Sequence, residues 1–412
     1  MYHAIGTDVA DDVQIFGDGY DVHHIPVSLL SDDGRWLLVH IIEGSSGPTE
    51  IHVKDLRSDT PFTTVIRDGV TESWAEFAGD QLVITTNLNA PNKRVVLADL
   101  TNPTVEHWRE VIAERADVVI QDARGLGGRL AVSYLQDVQP RVAIHELSGA
   151  HVRDIAFETL GSVGGGSGRW TSDEAFFTFQ SYHRPNTIYR YDLATGEQTV
   201  WAQADVPIDT QKYEVNQTWY SSTDGTQVPM FVTHRADVVL DGSNPTLLTG
   251  YGGFNLSRTP AFSSLAAVWL ESGGVFAEAN MRGGGEFGED WHRDGMLDRK
   301  QHVFDDFIAA AEHLIGELAQ GRRGPLSPAA LGAVCAWRSA RSGRVDVGSL
   351  RQLQAVDPAH PGVLSILLGS AVPPHSAADV RDLVEGLCLV LDGDPLHFEA
   401  WRRLALVVSA AD

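Results

Sequence analysis

The sequence predicts a multidomain chain: a β-propeller of about four to five blades over residues 1–210, an α/β sheet over 211–317, and an α-helical tail over 318–412. Three observations predict it. Short apolar strands recur at a period near 46 residues through the first half, the middle of the chain alternates strand-like runs with a helix-like one, and the composition shifts again from about Leu318. A length of 412 residues exceeds what one ordinary core supports and fits two or three domains.

The repeat comes first along the chain. Apolar runs at Trp36–Val39, Leu82–Ile84, Leu130–Val132 and Phe176–Phe179 place Leu37, Leu82, Leu130 and Phe176 at steps of 45, 48 and 46 residues. A second series keeps the same pace at Ile51–Leu56, Val95–Leu100, Val142–Leu147 and Ile188–Leu193. Each member alternates and ends in an acidic residue followed by Leu, and most are followed by turn formers such as Ser148-Gly149 or Ala194-Thr195-Gly196. Several short strands per unit at this period indicate propeller blades, because one four-stranded blade buries its faces only against its neighbours. Four blades can be counted, with part of another at the start.

Between about residues 210 and 316 the pattern becomes α/β. Pro245–Thr249 and Gly274–Ala279 read as strands, and Phe304, Phe307, Ile308, Ala311 and Ile315 recur at helical spacing. Strands alternating with helices imply a parallel sheet.

Beyond a linker at Gly321–Pro325, Ala, Leu, Val and Arg dominate. Asp357-Pro358-Ala359-His360 and Asp394-Pro395-Leu396-His397 lie 37 residues apart, with Leu367 and Leu404 at matching offsets. The second, running on to Leu404, looks like the boundary of a tetratricopeptide-like helical repeat. The alternatives are an unrelated helical tail or a sequence joined by frameshift or gene rearrangement.

Composition excludes several function classes. Lys+Arg 31 against Asp+Glu 55 gives a formal charge of -24, which repels nucleic acid and anionic lipid. The two cysteines, Cys335 and Cys388, are too far apart and too few for a disulfide framework or a zinc site, so no metal is expected. The first residues, Met1–Asp8, have no basic start or apolar segment, and no run of about 18 apolar residues occurs, so no membrane association and a cytoplasmic location are the default expectations.

The segments Gly250-Tyr251-Gly252-Gly253-Phe254-Asn255, Ala279–Gly288 (ANMRGGGEFG), Trp291-His292 and the Lys300–Ile315 helix with Phe304-Asp305-Asp306-Phe307 resemble the prolyl oligopeptidase family. The resemblance runs to about Ile315. It implies a propeller joined to an α/β-hydrolase domain, cleavage of short peptides after proline, and no cofactor. It also implies that this chain holds a partial propeller and an incomplete hydrolase sheet, truncated at both ends. Under it, Tyr251 donates its hydroxyl to the developing oxyanion and Phe254 lines the pocket for a substrate proline. Arg282, Gly283, Gly284, Gly285 and Glu286 form an active-site loop. The bland alternative is that Tyr251–Phe254 only make a tight glycine-rich turn.

Acyl transfer on this fold needs a serine at a Gly-x-Ser-x-Gly elbow, then an acid, then a histidine. No such motif occurs; Gly164–Gly168 and Leu368–Ala371 lack the second glycine two places after Ser. Aligning Ser327-Pro328 with the family's Ser-Pro puts Trp337 where the nucleophile belongs. No catalytic residue is therefore expected, and the chain reads as a peptidase fragment inactive alone. Two competing readings are a non-enzymatic protein-binding module, with a protein partner on the helical tail, and a degraded or misjoined gene product. Gly283, Gly285 and Gly288 also match a dinucleotide fingerprint, but Asp305 falls on an amphipathic helix rather than at a strand end. His292, His302 and His313 read as surface or capping histidines, and Asp306 as a supporter of the helix dipole.

Overall fold

The computed structural model describes residues 1–44, 47–240 and 244–320. The tetratricopeptide-like reading beyond Gln320, the Ser327-Pro328 and Trp337 alignment, and both cysteines lie outside the described residues.

Four four-stranded antiparallel sheets follow one another, each in chain order. The first holds β1 (His24–Leu30), β2 (Trp36–Glu43), β3 (Thr49–Asp55) and β4 (Thr63–Ile66). The second holds β5 (Ser73–Ala78), β6 (Gln81–Thr86), β7 (Arg94–Asp99) and β8 (Arg109–Ile112). The third holds β9 (Val119–Leu126), β10 (Arg129–Gln136), β11 (Gln139–His145) and β12 (His151–Ile155). The fourth holds β13 (Ser162–Gly168), β14 (Glu174–Gln180), β15 (Thr187–Asp192) and β16 (Gln198–Gln203). The two repeating sequence series are the second and third strands of every blade, paired with each other as Leu82 with Ala98 or Phe177 with Tyr189. Ahead of β1 there is no blade strand: Tyr2 and Val13 form an isolated bridge around a short 3-10 turn at Val9–Asp11.

The second and third strands read clearly because in the first three blades both of their faces are largely buried, and in the fourth one face is. Leu82 and Ile84 of β6 pack with Leu38, Ile51 and Val53 of the first blade. Val83, between them, packs with Leu130 and Val132 of the third. The third blade in turn sets Ala131, Val142 and Ile144 against Ala175, Phe177 and Tyr191 of the fourth. Each inter-blade layer removes several large apolar side chains from water, at about 1.5–3 kcal/mol per fully buried residue as an upper bound.

After the blades come β17 (Tyr213–Ser221), β18 (Gln227–Arg235), β19 (Thr246–Tyr251), α1 (Ser264–Glu271), β20 (Val275–Asn280), α2 (Glu289–Arg293) and α3 (Gln301–Gln320). The sheet order is β17-β18-β20-β19, and β20 is buried along its whole length, as an interior strand should be. The sequence reading had found β19, β20 and α3 but not the β17–β18 hairpin, whose signal is the Asp224-Gly225 turn closed by Ser222 N donating to Thr226 O at 2.8 Å.

One compact unit comprises Met1–Thr233, Thr249–Val268 and Glu278–Asp306. In the other, built from His234–Leu248, Trp269–Ala277 and the described residues from Phe307, Val275 N donates to Pro245 O at 2.9 Å. There the Trp269 indole also donates to Val275 O at 2.9 Å. Among the described residues no helix is long and apolar enough to cross a membrane.

The inter-blade layers carry a stability prediction. Leu130→Ala, at a fully buried position between blades, should cost about 2–5 kcal/mol in a denaturant titration, whereas Leu30→Ala, at an exposed position, should stay within about 0.5 kcal/mol.

Candidate active site

The chain leaves neighbouring strands β19 and β20 into two loops that cross. A side chain on Gly252 would overlap the Arg282 carbonyl and stand 2.6 Å from the Val303 side chain, so only glycine lets the loops touch. A Cβ on Gly285 would meet the Asn255 carbonyl at 2.6 Å, which fixes the second crossing point.

Past Gly253 the backbone turns left-handed at two non-glycine residues, Phe254 (φ 53°) and Asn255 (φ 55°). That conformation costs about 1–2 kcal/mol per residue and persists only where its surroundings hold it. Here Asn255 supplies the hold. Its N–H is shared between the Gly283 carbonyl at 3.2 Å and His292 Nδ1 at 3.1 Å. Its side-chain amide donates to both oxygens of Glu72, just ahead of β5, at 2.9 and 3.1 Å. His292 is thus a buried strut of the turn and not a surface histidine.

The turn presents Tyr251 and Phe254 outward, 38% and 56% exposed. Lys300 Nζ donates to the Gly252 carbonyl beside them. These are the two residues whose roles came from the family resemblance, and the structure brings them together at the end of β19.

The remaining loop residues face inward. The Arg282 guanidinium is 1% exposed and meets Asp306 at 2.6 Å, Asp294 at 2.9 Å and Asp224 at 2.5 Å. Arg282 N also donates to Asp306 at 3.1 Å. Burial disfavours the guanidinium charge, but its hydrogen bonds to Asp306, Asp224 and Asp294 outweigh that and hold the proton more tightly than usual. Burial likewise pushes the Asp224 carboxyl up, and the Arg282 and Thr226 hydrogen bonds pull it well below its ordinary range. Asp306 is fully buried in the second turn of α3, so its partner is Arg282 rather than the helix dipole. Sequence reasoning missed this cluster because its members lie 12, 24 and 58 residues from Arg282, with no spacing rule to join them.

Glu286 is 1% exposed. Its Oε1 accepts from Arg258 N at 2.8 Å, while its Oε2 and the neighbouring Asn280 Oδ1 have no hydrogen-bond partner among the described residues. Burial drives the Glu286 carboxyl up to about 7, against the pull of the Arg258 N–H. Alongside, Glu278 accepts from Arg258 Nε and Nη2 at 2.9 and 2.7 Å and from the Tyr182 hydroxyl at 2.5 Å. Burial raises that phenol well above its ordinary value, and the Glu278 charge raises it further. Tyr182 comes from the β14–β15 loop, so the fourth blade joins the network.

The glycine loop is not a phosphate cradle. The space by Gly285 is filled by Asn255, the α2 that follows is only five residues long, and Asp305 bonds to Gln301 at 3.1 Å on α3. Among the described residues there is no cluster of His, Cys, Asp and Glu suited to a metal ion.

Comparison with known proteins gives one family. A family model described as "Prolyl oligopeptidase, N-terminal beta-propeller domain" matches residues 1–204, and one described as "Prolyl oligopeptidase family" matches residues 260–322. A prolyl endopeptidase from Elizabethkingia meningoseptica is 36% identical over 76% of this chain and 44% of its own length. Prolyl oligopeptidase ophP from Omphalotus olearius is 33% identical over the same shares. The chain therefore spans less than half the length of the curated relatives it matches. A solved prolyl endopeptidase structure superposes with a TM-score of 0.75 at 29% identity, covering 94% of this chain and 63% of that one. Prolyl oligopeptidase B from Galerina marginata, bound to a 35mer hydrolysis and macrocyclization substrate, gives 0.72 at 27% identity, over 82% and 49%.

Two predictions follow from the buried charges. Arg282→Met strands the Asp306 carboxylate in the interior and should cost about 3–5 kcal/mol, while Asp224→Asn, at the half-exposed edge, should cost about 1 kcal/mol, both read by urea unfolding. The folded state binds the Glu286 proton more tightly than the unfolded chain, so this group's stabilisation is complete below about 4.5 and is lost as pH rises towards about 7. Glu286→Gln should flatten that part of the stability–pH curve, whose amplitude is up to about 3 kcal/mol.

Proposed function

Because the chain belongs to the prolyl oligopeptidase family, we propose that it carries the substrate-facing turn of a serine peptidase that cleaves short peptides after proline. The observation that supports this reading is the clamped left-handed turn at Phe254 and Asn255, which leaves Phe254 exposed three residues after the exposed Tyr251. In it, Tyr251 donates its hydroxyl to the carbonyl oxygen that gains charge as the bond breaks, the largest contribution in most acyl transfers. Phe254 packs on the proline ring of the substrate. The loop from Arg282 to Glu286 acts from behind: Arg282 and Glu286 hold the crossing, and Gly283, Gly284 and Gly285 give it room. Residues 1–210 would cap the site and restrict it to short peptides.

We also propose that this chain alone does not hydrolyse peptides. The reaction needs a hydroxyl or thiol nucleophile at a glycine-flanked elbow with a histidine to take its proton, and the 412 residues contain no Gly-x-Ser-x-Gly. Substrate binding and turnover are therefore separable. The purified chain should release no chromophore from a Gly-Pro chromogenic amide above the spontaneous rate; release abolished by diisopropyl fluorophosphate would overturn the inactivity. Phe254→Ala should weaken binding of a proline-containing peptide about tenfold in calorimetry without changing the unfolding midpoint, because the ring is largely exposed in the free chain.

A further inference from the structure

We infer that the Tyr251 hydroxyl and the Lys300 ammonium form a carboxylate-binding site across Gly253, which takes the free terminus of a peptide ending in proline. The inference rests on the reading of Phe254 as the proline contact and adds a charge requirement to it.

The geometry centres on a missing side chain. A Cβ built on Gly253 would lie 3.5 Å from Lys300 Nζ and 3.8 Å from the Tyr251 hydroxyl, both at ordinary contact distance. The face of Gly253 is thus open between two hydrogen-bond donors. A planar anion lying on it reaches both at the ~2.7–2.9 Å of a charge-assisted bond.

Lys300, like Lys54, bonds to a backbone carbonyl and not to a carboxylate. In a chain with 55 acidic and 31 basic residues, it has no carboxylate within ion-pair distance among the described residues. Lys93 and Lys212, by contrast, meet Glu72 at 3.8 Å and Asp209 at 3.7 Å. The ammonium is instead tethered by the Gly252 carbonyl, which uses one of its three N–H groups and leaves two. The Tyr251 hydroxyl has no hydrogen-bond partner among the described residues, and the residue is 38% exposed. With Phe254 next in the chain, the three groups match one ligand: an apolar ring one bond from a carboxylate, which is C-terminal proline. Cleavage after proline generates this end, so the site would hold the product of that class of reaction.

The test uses the full chain and four ligands: acetyl-Gly-Pro and acetyl-Gly-Ala, each as free acid and as amide, titrated in a calorimeter at low salt. The proline acid should bind about tenfold more tightly than its amide. Lys300→Met should erase that difference, and so should Gly253→Ala, whose methyl fits without overlap but fills the space between the donors. Equal binding of acid and amide to the unaltered chain, or a preference that survives both substitutions, overturns the inference. If alanine and proline acids bind alike, the proline reading fails while the carboxylate site stands.

Discussion

The region that carries the candidate site depends on one buried cation. Arg282 leaves β20 and binds acids from three other segments: Asp224 in the β17–β18 turn, Asp294 at the end of α2 and Asp306 in α3. A guanidinium suits the task because its planar fork offers five donors in fixed directions, and Asp306 takes two of them. Removing a charge from water is unfavourable by several kcal/mol, and only this full set of hydrogen bonds offsets it. The cluster therefore specifies an arrangement: any shift of one segment strands a charge.

The second constraint is that blades and loops share side chains. Tyr182 of the fourth blade bonds to Glu278 of β20, and Glu72 beside the second blade bonds to Asn255 of the turn. Ser162 N, at the start of β13, donates to Pro260 O at 3.1 Å. Blade geometry thus propagates into the turn through polar contacts at three separate places, each far from the others in sequence.

Legibility from sequence followed burial. The second and third strands of the blades have a continuous apolar face, and in the first three blades two, and announce themselves, whereas β13, with Gly164, Gly165, Gly166 and Gly168, has almost no side chains to show a pattern. In the β17–β18 hairpin only β18, with Val228–Phe231, carries an apolar run, while β17 mixes Glu214, Asn216 and Gln217 with aromatics. In the candidate site, the motif places Tyr251 and Phe254 on one turn at the end of β19, whereas nothing in the sequence joins Asp306 to Arg282, 24 residues away. Lys300 carries no signal of its own in the sequence, because its partner, the Gly252 carbonyl, is 48 residues away.

The left-handed backbone at Phe254 and Asn255 has a consequence for recognition. Because folding has already frozen these torsions, a peptide bound there as proposed would not need to order the turn and would lose affinity only for its own immobilisation. On the proposed reading, such a rigid edge would discriminate by shape: it would reward a ligand that is itself stiff, and proline, with its ring-locked torsion, is the stiffest residue a peptide can offer.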